Sequence, residues 1–455
     1  MTDARKTRRL LLCIYFGALA YFVLKLLYYA LCIGGTPDEI LHIGYIAELT
    51  RNPVLIPDFA SMPMYQILSE TAMRQVIVPA EGTVNYLGHP PLYYLLLMLA
   101  HAVDFRADET VLVQVFRLRF INILITSAAV ALAFRVGYKK LGNRSPVRHL
   151  LFAAAVATLP ELGYIASGVT NDNLSFLAFA LFFTGVVRYD EGKTDLRTYG
   201  LIGIGFLLGS FSKLTTALAL LIMLLAILVL DIIRTKSLKL ILSRNFLIIL
   251  PCFLLFLVYE LLIRSRYGAW QPSLANLAPD FYRRTVFYVA PENRVPLTFF
   301  QYLLKFLGGI GHSWSSAYSD PGSFVSAAMH NGAAGLVYWV PVATSMAAAA
   351  AQAVRRKTDG YTVPAVLAFL GTLAWHFFTG WSGFQQSGYT GGAQARYYLF
   401  LIIAFALVFS EQAPALFRSS RAKRTGTALA VLLVILWLAG DAPRMLFSAG
   451  FPALT

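Results

Sequence analysis

The sequence has little charge and few cysteines for its length. Charged residues make up 13% of the 455 residues, and the three cysteines, Cys13, Cys32 and Cys252, lie in or beside apolar segments. Neither a disulfide framework nor a cysteine metal site is therefore expected. The sequence also lacks Gly/Ser linkers, low-complexity tracts, clear internal repeats and a polar stretch of soluble-domain size. This favours one integral membrane domain over residues 1–455.

Apolar residues are abundant instead. They form 58% of the chain, the mean hydropathy is +0.63, and apolar runs of membrane-spanning length recur. The fold class predicted from this pattern is an all-α polytopic membrane protein. The 38 Lys and Arg residues outnumber the 23 acids and give a net charge of +15. Membrane proteins collect basic residues in cytoplasmic loops, so this charge does not indicate a nucleic-acid partner.

The basic residues predict the topology. They cluster at Arg5–Arg9, Lys139–Arg148, Arg188–Arg197, Arg234–Arg244, Arg355–Lys357 and Arg418–Arg424. The positive-inside rule places every cluster in the cytoplasm. The apolar run after the first cluster is too long for a signal peptide, so we interpret it as an uncleaved span. Eleven spans are predicted, near 10–33, 111–138, 149–168, 173–188, 198–212, 214–231, 245–263, 334–354, 361–381, 397–413 and 427–447.

A twelfth apolar stretch is too short to cross. Residues 91–103, PLYYLLLMLAHAV, would form a helix of about 20 Å, whereas the hydrocarbon core is about 30 Å thick. We expect this helix to lie along the outer leaflet, in contact with membrane lipids. Residues 34–110 are then a first outer loop with juxtamembrane helices, and residues 264–333 form a second outer loop. No separate soluble domain is expected.

Several polar residues fall on the outer side of this topology. They are Asp38, Glu39, His42, His89, Asn171, Asp172, Lys213 and Arg396. Charges near the hydrocarbon cost free energy, so those at this face should be paired, hydrated or functional. Taken alone, each residue also suits a structural role, and none by itself indicates an enzyme. Asp38 suits a helix N-cap, Lys213 suits a snorkelling lysine, and Arg396 beside Tyr397 suits a headgroup anchor.

Four motifs follow one another along the first half of the chain: PDEILHIGY (37–45), HPPLYYLL (89–96), NDNLSFLAFAL (171–181) and GIGFLLGSFSKLTT (203–216). Their order resembles the GT-C superfamily of membrane glycosyltransferases, in particular the protein O-mannosyltransferase and lipid A aminoarabinose transferase branch. GGAQARYYLFL (391–401) is similar to a related group of uncharacterised bacterial membrane proteins. The resemblance implies that a sugar is transferred from a polyprenyl-phosphate carrier to a glycan, lipid or protein acceptor. The transfer would take place on the outer face of the membrane that holds the protein.

Such a transfer needs a base near the acceptor hydroxyl and cations near the departing phosphate. We assign the general base to Asp38, and the phosphate contacts to Lys213 and Arg396. Glu39 is a second candidate catalytic acid that could orient an acceptor, pair with a cation or hold a metal. The candidate substrate-binding residues are His42, His89, Asn171, Asp172, Lys213, Arg396 and Tyr397.

The sequence leaves open whether a metal ion takes part and whether the protein is an enzyme, a transporter or a scaffold. Asp38, Glu39 and His42 would be the ligands if a divalent metal ion takes part, but no cofactor is certain. A transporter or flippase of a lipid-linked sugar is the alternative function, since Glu161 and Glu260 would suit an ion relay. Against that function, no inverted repeat is visible. A scaffold without chemistry is the third possibility.

The expected location is the bacterial inner membrane. The positive-inside pattern places the N-terminus in the cytoplasm and the active site on the periplasmic side.

Overall fold

The structure is a computed structural model that describes residues 2–32, 36–237, 243–315, 332–356, 358–412 and 420–448. Ten α-helices occur up to residue 267: α1 Thr2–Cys32, α2 Glu39–Arg51, α3 Leu92–Met98, α4 Val115–Leu141, α5 Pro146–Ala157, α6 Pro160–Ala166, α7 Asp172–Asp190, α8 Leu196–Ser210, α9 Leu214–Thr235 and α10 Arg244–Tyr267. Seven follow: α11 Leu274–Leu277, α12 Pro279–Tyr282, α13 Phe299–Trp314, α14 Val340–Arg355, α15 Thr362–Ser387, α16 Ile402–Gln412 and α17 Ser420–Ser448. Short 3₁₀ helices cover Pro291–Asn293, Gly332–Trp339 and Ala395–Leu401.

The described segments confirm the predicted class of a helical membrane protein. Eight helical segments are long and apolar enough to cross a membrane, and α5 with α6 make a ninth if this pair, bent by 51°, is one span. The other two predicted spans fall on α7, of 19 residues, and α8, of 15 residues. The number eleven therefore stays a prediction. Residues 316–331 of the second outer loop and 418–419 of the last basic cluster lie outside the described residues.

A sheet that the sequence analysis did not predict lies in the predicted first outer loop and extends past it, since its last strand occupies the start of the span predicted over 111–138. Its strands are β1 Tyr65–Glu70, β2 Gln75–Pro79, β3 Val103–Phe105 and β4 Val111–Val113, in the order β1-β2-β4-β3, and all pairs are antiparallel. The β-branched residues of QVIVP and VLV favour strands. The expected helix over 91–103 is shorter than predicted, because α3 ends at Met98 and Val103 already belongs to β3.

Two apolar cores hold these parts together. One lies among the membrane helices, and the other joins the sheet, α2 and α3 to the start of α4 and the end of α10. Close helix contact depends on glycine. A Cβ at Gly205 of α8 would lie 2.5 Å from the backbone nitrogen of Phe182 in α7. In the membrane core, buried Lys25 of α1 pairs with Asp441 of α17 at 2.8 Å.

The membrane helices separate two polar ends of the molecule. At one end Lys140 of α4 pairs with Asp190 of α7 at 2.6 Å. Arg119 of α4 and Asp172 of α7 lie near the opposite ends of the same helices. At 1.5 Å per residue, these separations are about 30 Å along α4 and about 27 Å along α7. The basic clusters around Lys140 therefore lie one membrane thickness away from the candidate site.

Candidate active site

Asp38 stands immediately before α2 but does not cap it. Its φ of 64° lies in the left-handed region, which is uncommon for a residue other than glycine, and its side chain makes no cap hydrogen bond. The carboxylate instead accepts a hydrogen bond from Tyr86 at 2.6 Å and pairs with Arg396 at 2.5 Å. The other terminal nitrogen of Arg396 donates to the Pro37 carbonyl at 3.2 Å. The N-cap alternative for Asp38 is therefore not realised.

The surroundings of Asp38 set its acidity. Burial by itself raises the pKa of this carboxyl, but the charge and hydrogen bond of Arg396 and the hydrogen bond from Tyr86 outweigh that effect. The pKa of Asp38 is consequently lowered to about 2. Asp38 is thus an ionised acceptor, 16% exposed, that is already engaged by a cation.

Glu39 points to a different set of partners. Its two oxygens accept hydrogen bonds from the Nε and Nη2 of Arg119 at 2.9 and 2.6 Å. The backbone N–H groups of Val169 and Thr36 donate to the same carboxylate at 2.8 and 3.3 Å. Both carboxylate oxygens are occupied, and the residue is 3% exposed. This geometry suits a positioning role that ties the start of α2 to α4 and to the loop before α7.

A second ion pair lies between the starts of α7 and α9. Lys213, the residue before α9, donates to Asp172 at 2.5 Å, and both side chains are buried. Asn171 and Ser212 hold the two loops together, because the Asn171 amide donates to the Ser212 carbonyl at 2.8 Å and the Ser212 hydroxyl donates to the Asn171 carbonyl at 2.9 Å. These bonds fix where the ammonium group of Lys213 can lie.

Tyr397 brings the two ion pairs together. The Nζ of Lys213 lies 4.5 Å from the centre of its ring, and the guanidinium carbon of Arg396 lies 5.4 Å from it. Arg396 and Tyr397 both belong to the 3₁₀ helix Ala395–Leu401, whose first N–H donates to Ser313 of α13 at 2.6 Å. Two cations, each matched by a carboxylate, therefore share one aromatic ring.

Two histidines lie beside this cluster. His42 and His89 have parallel rings with centroids 6.3 Å apart; the Nδ1 of His42 is 2.9 Å from the Tyr94 hydroxyl, and that of His89 is 3.2 Å from the Gln271 amide. Burial lowers the pKa of His42 to about 4, against the opposing charge of Asp38. Burial also holds the pKa of His89 well below its usual range. Both rings are therefore neutral at pH 7 and add no cation to the site.

A mainly apolar cavity of about 520 Å³, with Glu260 in its lining, lies among the membrane helices near the start of α9. Leu214 and Thr215 of α9, which follow Lys213 directly, line it together with side chains of α8, α10 and α15. Trp270 and Gln271 also line it, and Gln271 contacts His89. The lining thus includes the two residues that follow Lys213 and one residue that contacts His89.

Three of the partners were missed by the sequence analysis. Arg119 lies within a predicted span, where a charged residue is itself a signal of pairing or function. Tyr86 precedes the HPPLYYLL motif by three residues and carried no signal of its own. Tyr94 lies within that motif, but only the folded chain shows that its hydroxyl meets His42.

Asp38, Glu39 and His42, the residues named as ligands if a metal ion takes part, are all engaged by other groups. Arg119, Val169 and Thr36 satisfy the Glu39 carboxylate, and Arg396 and Tyr86 satisfy that of Asp38. Within the part of the chain that the structure describes, no three His, Cys, Asp or Glu side chains are arranged to hold a metal ion. We therefore derive no chemical step through a metal.

Known structures offer a partial likeness. The chain aligns over 96% of its length with ArnT from Cupriavidus metallidurans bound to undecaprenyl phosphate, at 12% identity, 72% of that chain and a TM-score of 0.47. The oligosaccharyltransferase of Archaeoglobus fulgidus aligns with 96% of this chain at 12% identity. The alignment covers 56% of that protein and has a TM-score of 0.46. The arabinosyltransferase EmbB of Mycobacterium smegmatis also aligns with 96% of this chain at 12% identity. That alignment covers 41% of EmbB and has a TM-score of 0.35.

No protein-family model and no curated protein matches the sequence. Since the identities and TM-scores are low, the function is argued below from the residues of the site.

Proposed function

We propose that the protein is an integral membrane glycosyltransferase that moves a sugar from a polyprenyl-phosphate carrier to a hydroxyl-bearing acceptor. The observation that carries the proposal is the Asp38–Arg396 pair, which shares the ring of Tyr397 with Lys213. One buried cluster thus supplies a carboxylate for a proton and two cations for a phosphate. These are the groups that the reaction requires.

The donor would bind across the boundary between the cluster and the membrane helices. Its phosphate would contact Lys213 and Arg396, and its polyprenyl chain would occupy the mainly apolar cavity that Leu214 lines. Arg396 presents a planar fork of donors, and Lys213 a compact charge, which together suit a phosphate with several oxygens.

The reaction would be a single displacement. The acceptor oxygen attacks the anomeric carbon of the sugar, the bond from that carbon to the phosphate oxygen breaks, and polyprenyl phosphate leaves. Asp38 accepts the proton of the attacking hydroxyl. Lys213 and Arg396 stabilise the charge that develops on the phosphate. Attack opposite the leaving group inverts the anomeric configuration.

Binding of the donor would also prepare the base. In the structure Arg396 holds the Asp38 carboxylate at 2.5 Å, which makes Asp38 a weak base. A phosphate that attracts Arg396 would loosen this pair and leave Asp38 to the acceptor hydroxyl. The enzyme would therefore deprotonate an acceptor efficiently only after the donor has bound.

The orientation belongs to the same proposal. The positive-inside rule puts the end of the molecule around Lys140 in the cytoplasm. The cluster of Asp38, Lys213 and Arg396 would then face the periplasm of a bacterial inner membrane.

A donor panel tests the proposed function. Purified full-length protein is incubated with polyprenyl phosphates that carry different sugars, and both donor consumption and donor binding are measured. We expect one donor to be consumed with release of polyprenyl phosphate, and both Lys213→Gln and Arg396→Gln to weaken its binding. A folded protein that neither binds nor consumes any donor would reject the proposal, and gradient-driven flux without turnover would favour a transporter.

A further inference from the structure

The cavity among the membrane helices contains an acid that the protein does not pair. Glu260 of α10 is 5% exposed and is the only charged side chain among the described residues that line the cavity. Its Oε2 is buried without a hydrogen-bond partner, and no Lys, Arg or His nitrogen of the described residues lies within 4.0 Å of its carboxylate. We propose that the cavity binds an ethanolamine phospholipid of the membrane, whose primary ammonium group pairs with Glu260.

Other buried acids show what Glu260 lacks. Glu39, Asp172 and Asp441 are also buried, and each lies 2.5 to 2.8 Å from the nitrogen of a lysine or arginine. A buried charge or polar group without a partner costs free energy. The hydroxyl of Thr215, which lines the same cavity, is likewise buried without a hydrogen-bond partner. The lining therefore selects a ligand that brings N–H or O–H groups, and a cation suits Glu260 best.

The next basic residue on α10 is directed to another group. Arg264 follows Glu260 by one helical turn, about 6 Å along the axis. Its guanidinium lies 4.9 Å from the centre of the ring of Trp270, which lines the cavity. An acid and a guanidinium one turn apart match a headgroup that carries both an ammonium and a phosphate.

The place of the cavity selects a lipid rather than a soluble amine. Its walls include α9, α10 and α15, which are all long and apolar enough to cross a membrane. Leu221, Leu257 and Trp375, one from each of these helices, line the cavity and are also exposed. A ligand can therefore enter from the bilayer, and a volume of about 520 Å³ lies within the range of about 300 to 1,000 Å³ that ligand pockets have.

The depth of Glu260 suits a headgroup. α10 ends at Tyr267, whose hydroxyl donates to the Pro57 carbonyl of the first outer loop at 2.9 Å. Glu260 lies about 10 Å along the helix from that end, and Phe253 of the cavity lining lies about 10 Å deeper. A phospholipid can thus place its headgroup at Glu260 and Arg264 and direct its acyl chains past Phe253.

A series of headgroups with increasing N-methylation tests the site. Purified full-length protein in detergent is titrated with an ethanolamine phospholipid, its N-methyl and N,N-dimethyl derivatives and the choline phospholipid, all with the same acyl chains. Bound lipid is measured by native mass spectrometry. Each methyl group removes one N–H donor but leaves both headgroup charges in place. We expect the affinity of the wild type to fall by about tenfold over the series, as the loss of a hydrogen bond to a charged group predicts.

Three variants assign the effect to Glu260. Glu260→Gln should bind the four lipids with similar affinity and keep the wild-type melting temperature, because Glu260 has no partner to lose. Glu292→Gln, which changes an exposed acid outside the cavity, should keep the wild-type preference. Arg264→Gln should weaken all four lipids alike, since each carries the same phosphate.

Three results would overturn the inference. The first is equal affinity of the wild type for the four lipids, and the second is a preference that survives Glu260→Gln. The third is binding of phosphatidylglycerol, which has no ammonium group, as tightly as the ethanolamine lipid.

The lipid titration contains no donor, so it is independent of the proposed function. Under that function the polyprenyl chain of the donor takes the place of the phospholipid. If the headgroup preference is found but no donor is consumed, the lipid site stands and the transferase does not. If a donor is consumed by a protein that binds the four lipids equally, the transferase stands and the lipid site is overturned.

Discussion

At the scale of single residues, the site pairs carboxylates with cations, which in our proposal are the base and the groups that bind the leaving phosphate. Asp38 and Arg396 neutralise each other at 2.5 Å, and Lys213 pairs with Asp172 at 2.5 Å. The two neighbouring acids have different partners, because Asp38 meets Arg396 whereas Glu39 is bound by Arg119. Both acids are engaged, but Asp38 is 16% exposed and Glu39 only 3%. We propose that the donor releases Asp38 from Arg396 and that Glu39 holds the start of α2 in position.

The pKa of Asp38 leads to a pH prediction. Since Arg396 and Tyr86 lower this pKa to about 2, Asp38 in the free enzyme stays ionised as pH falls through the range of ordinary carboxyl pKa values. A donor phosphate that engages Arg396 removes part of this effect, so the pKa rises in the complex. We expect the acid limb of kcat to lie at higher pH than the acid limb of kcat/KM. If the two acid limbs coincide, or if that of kcat lies at lower pH, Arg396 does not move from Asp38 to the donor phosphate.

Glu39 leads to a stability prediction. Glu39→Gln leaves the buried guanidinium of Arg119 without its counter-charge, and loss of one partner of a buried pair costs about 3 to 5 kcal/mol. We expect that loss in the free energy of unfolding, measured by denaturation in detergent. Addition of Arg119→Met should recover part of it, because no buried charge is then left alone. Additive effects of the two substitutions would argue against a structural Glu39–Arg119 pair.

At the scale of elements, α7 and α8 position Asp172 and Lys213. The two helices touch where Gly205 meets the backbone of α7, and α8 ends at Ser210, three residues before Lys213. A side chain at this contact would separate the helices and move the loops that Asn171 and Ser212 join. Function at Lys213 is therefore expected to depend on a glycine buried in the helix pair.

Two glycines of α8 provide a matched test. A Cβ at Gly205 would overlap backbone atoms of α7, whereas a Cβ at Gly200 meets nothing within 4 Å. We expect Gly205→Ala to destabilise the protein by about 1 to 3 kcal/mol and to lower donor turnover. Gly200→Ala should be neutral or stabilise it by up to about 1 kcal/mol, because alanine favours helix. Thermal unfolding and donor turnover are measured for both variants. Equal effects of Gly205→Ala and Gly200→Ala would contradict this packing.

The same elements mark how far the sequence could predict the structure. Apolar runs locate the spans because a helix must be long and apolar to cross a bilayer. They do not reveal the sheet, since β1 to β4 have three to six residues each and pair across intervening segments. They also do not reveal that Arg119 reaches Glu39, 80 positions earlier in the chain, because that contact depends on how α2 packs on α4.

The sequence predicted which residues form the candidate site, but it did not predict which of them contact each other. Topology placed Asp38, Lys213 and Arg396 at one face, and the fold joins them. Their partners were not predictable, because Tyr397 meets Lys213 only when the 3₁₀ helix before α16 lies beside the start of α9.

At the scale of the whole molecule, the membrane helices separate the Lys140–Asp190 pair from the candidate site. The positive-inside rule gives this polarity a direction, with the basic end in the cytoplasm. The site would then be open to carrier lipids and acceptors on the periplasmic side.

Thiol labelling tests this direction in intact bacterial cells. In a background with Cys13, Cys32 and Cys252 replaced, R74C places a thiol in the first outer loop, and K193C places one between α7 and α8. A membrane-impermeant reagent added outside, with the outer membrane permeabilised, should label R74C, whereas K193C should react only after lysis. The reverse pattern would invert the proposed topology.

The central claim is that Asp38 takes the acceptor proton. Its most direct test is transfer by Asp38→Asn, with Asp104→Asn as a control that changes an exposed acid of β3. We predict that Asp38→Asn loses about 10²- to 10⁴-fold in kcat, the usual contribution of a general base, while it stays folded and binds the donor. Asp104→Asn should transfer sugar at the wild-type rate. Transfer by folded Asp38→Asn at a rate close to that of Asp104→Asn would contradict the assignment of Asp38 as the base.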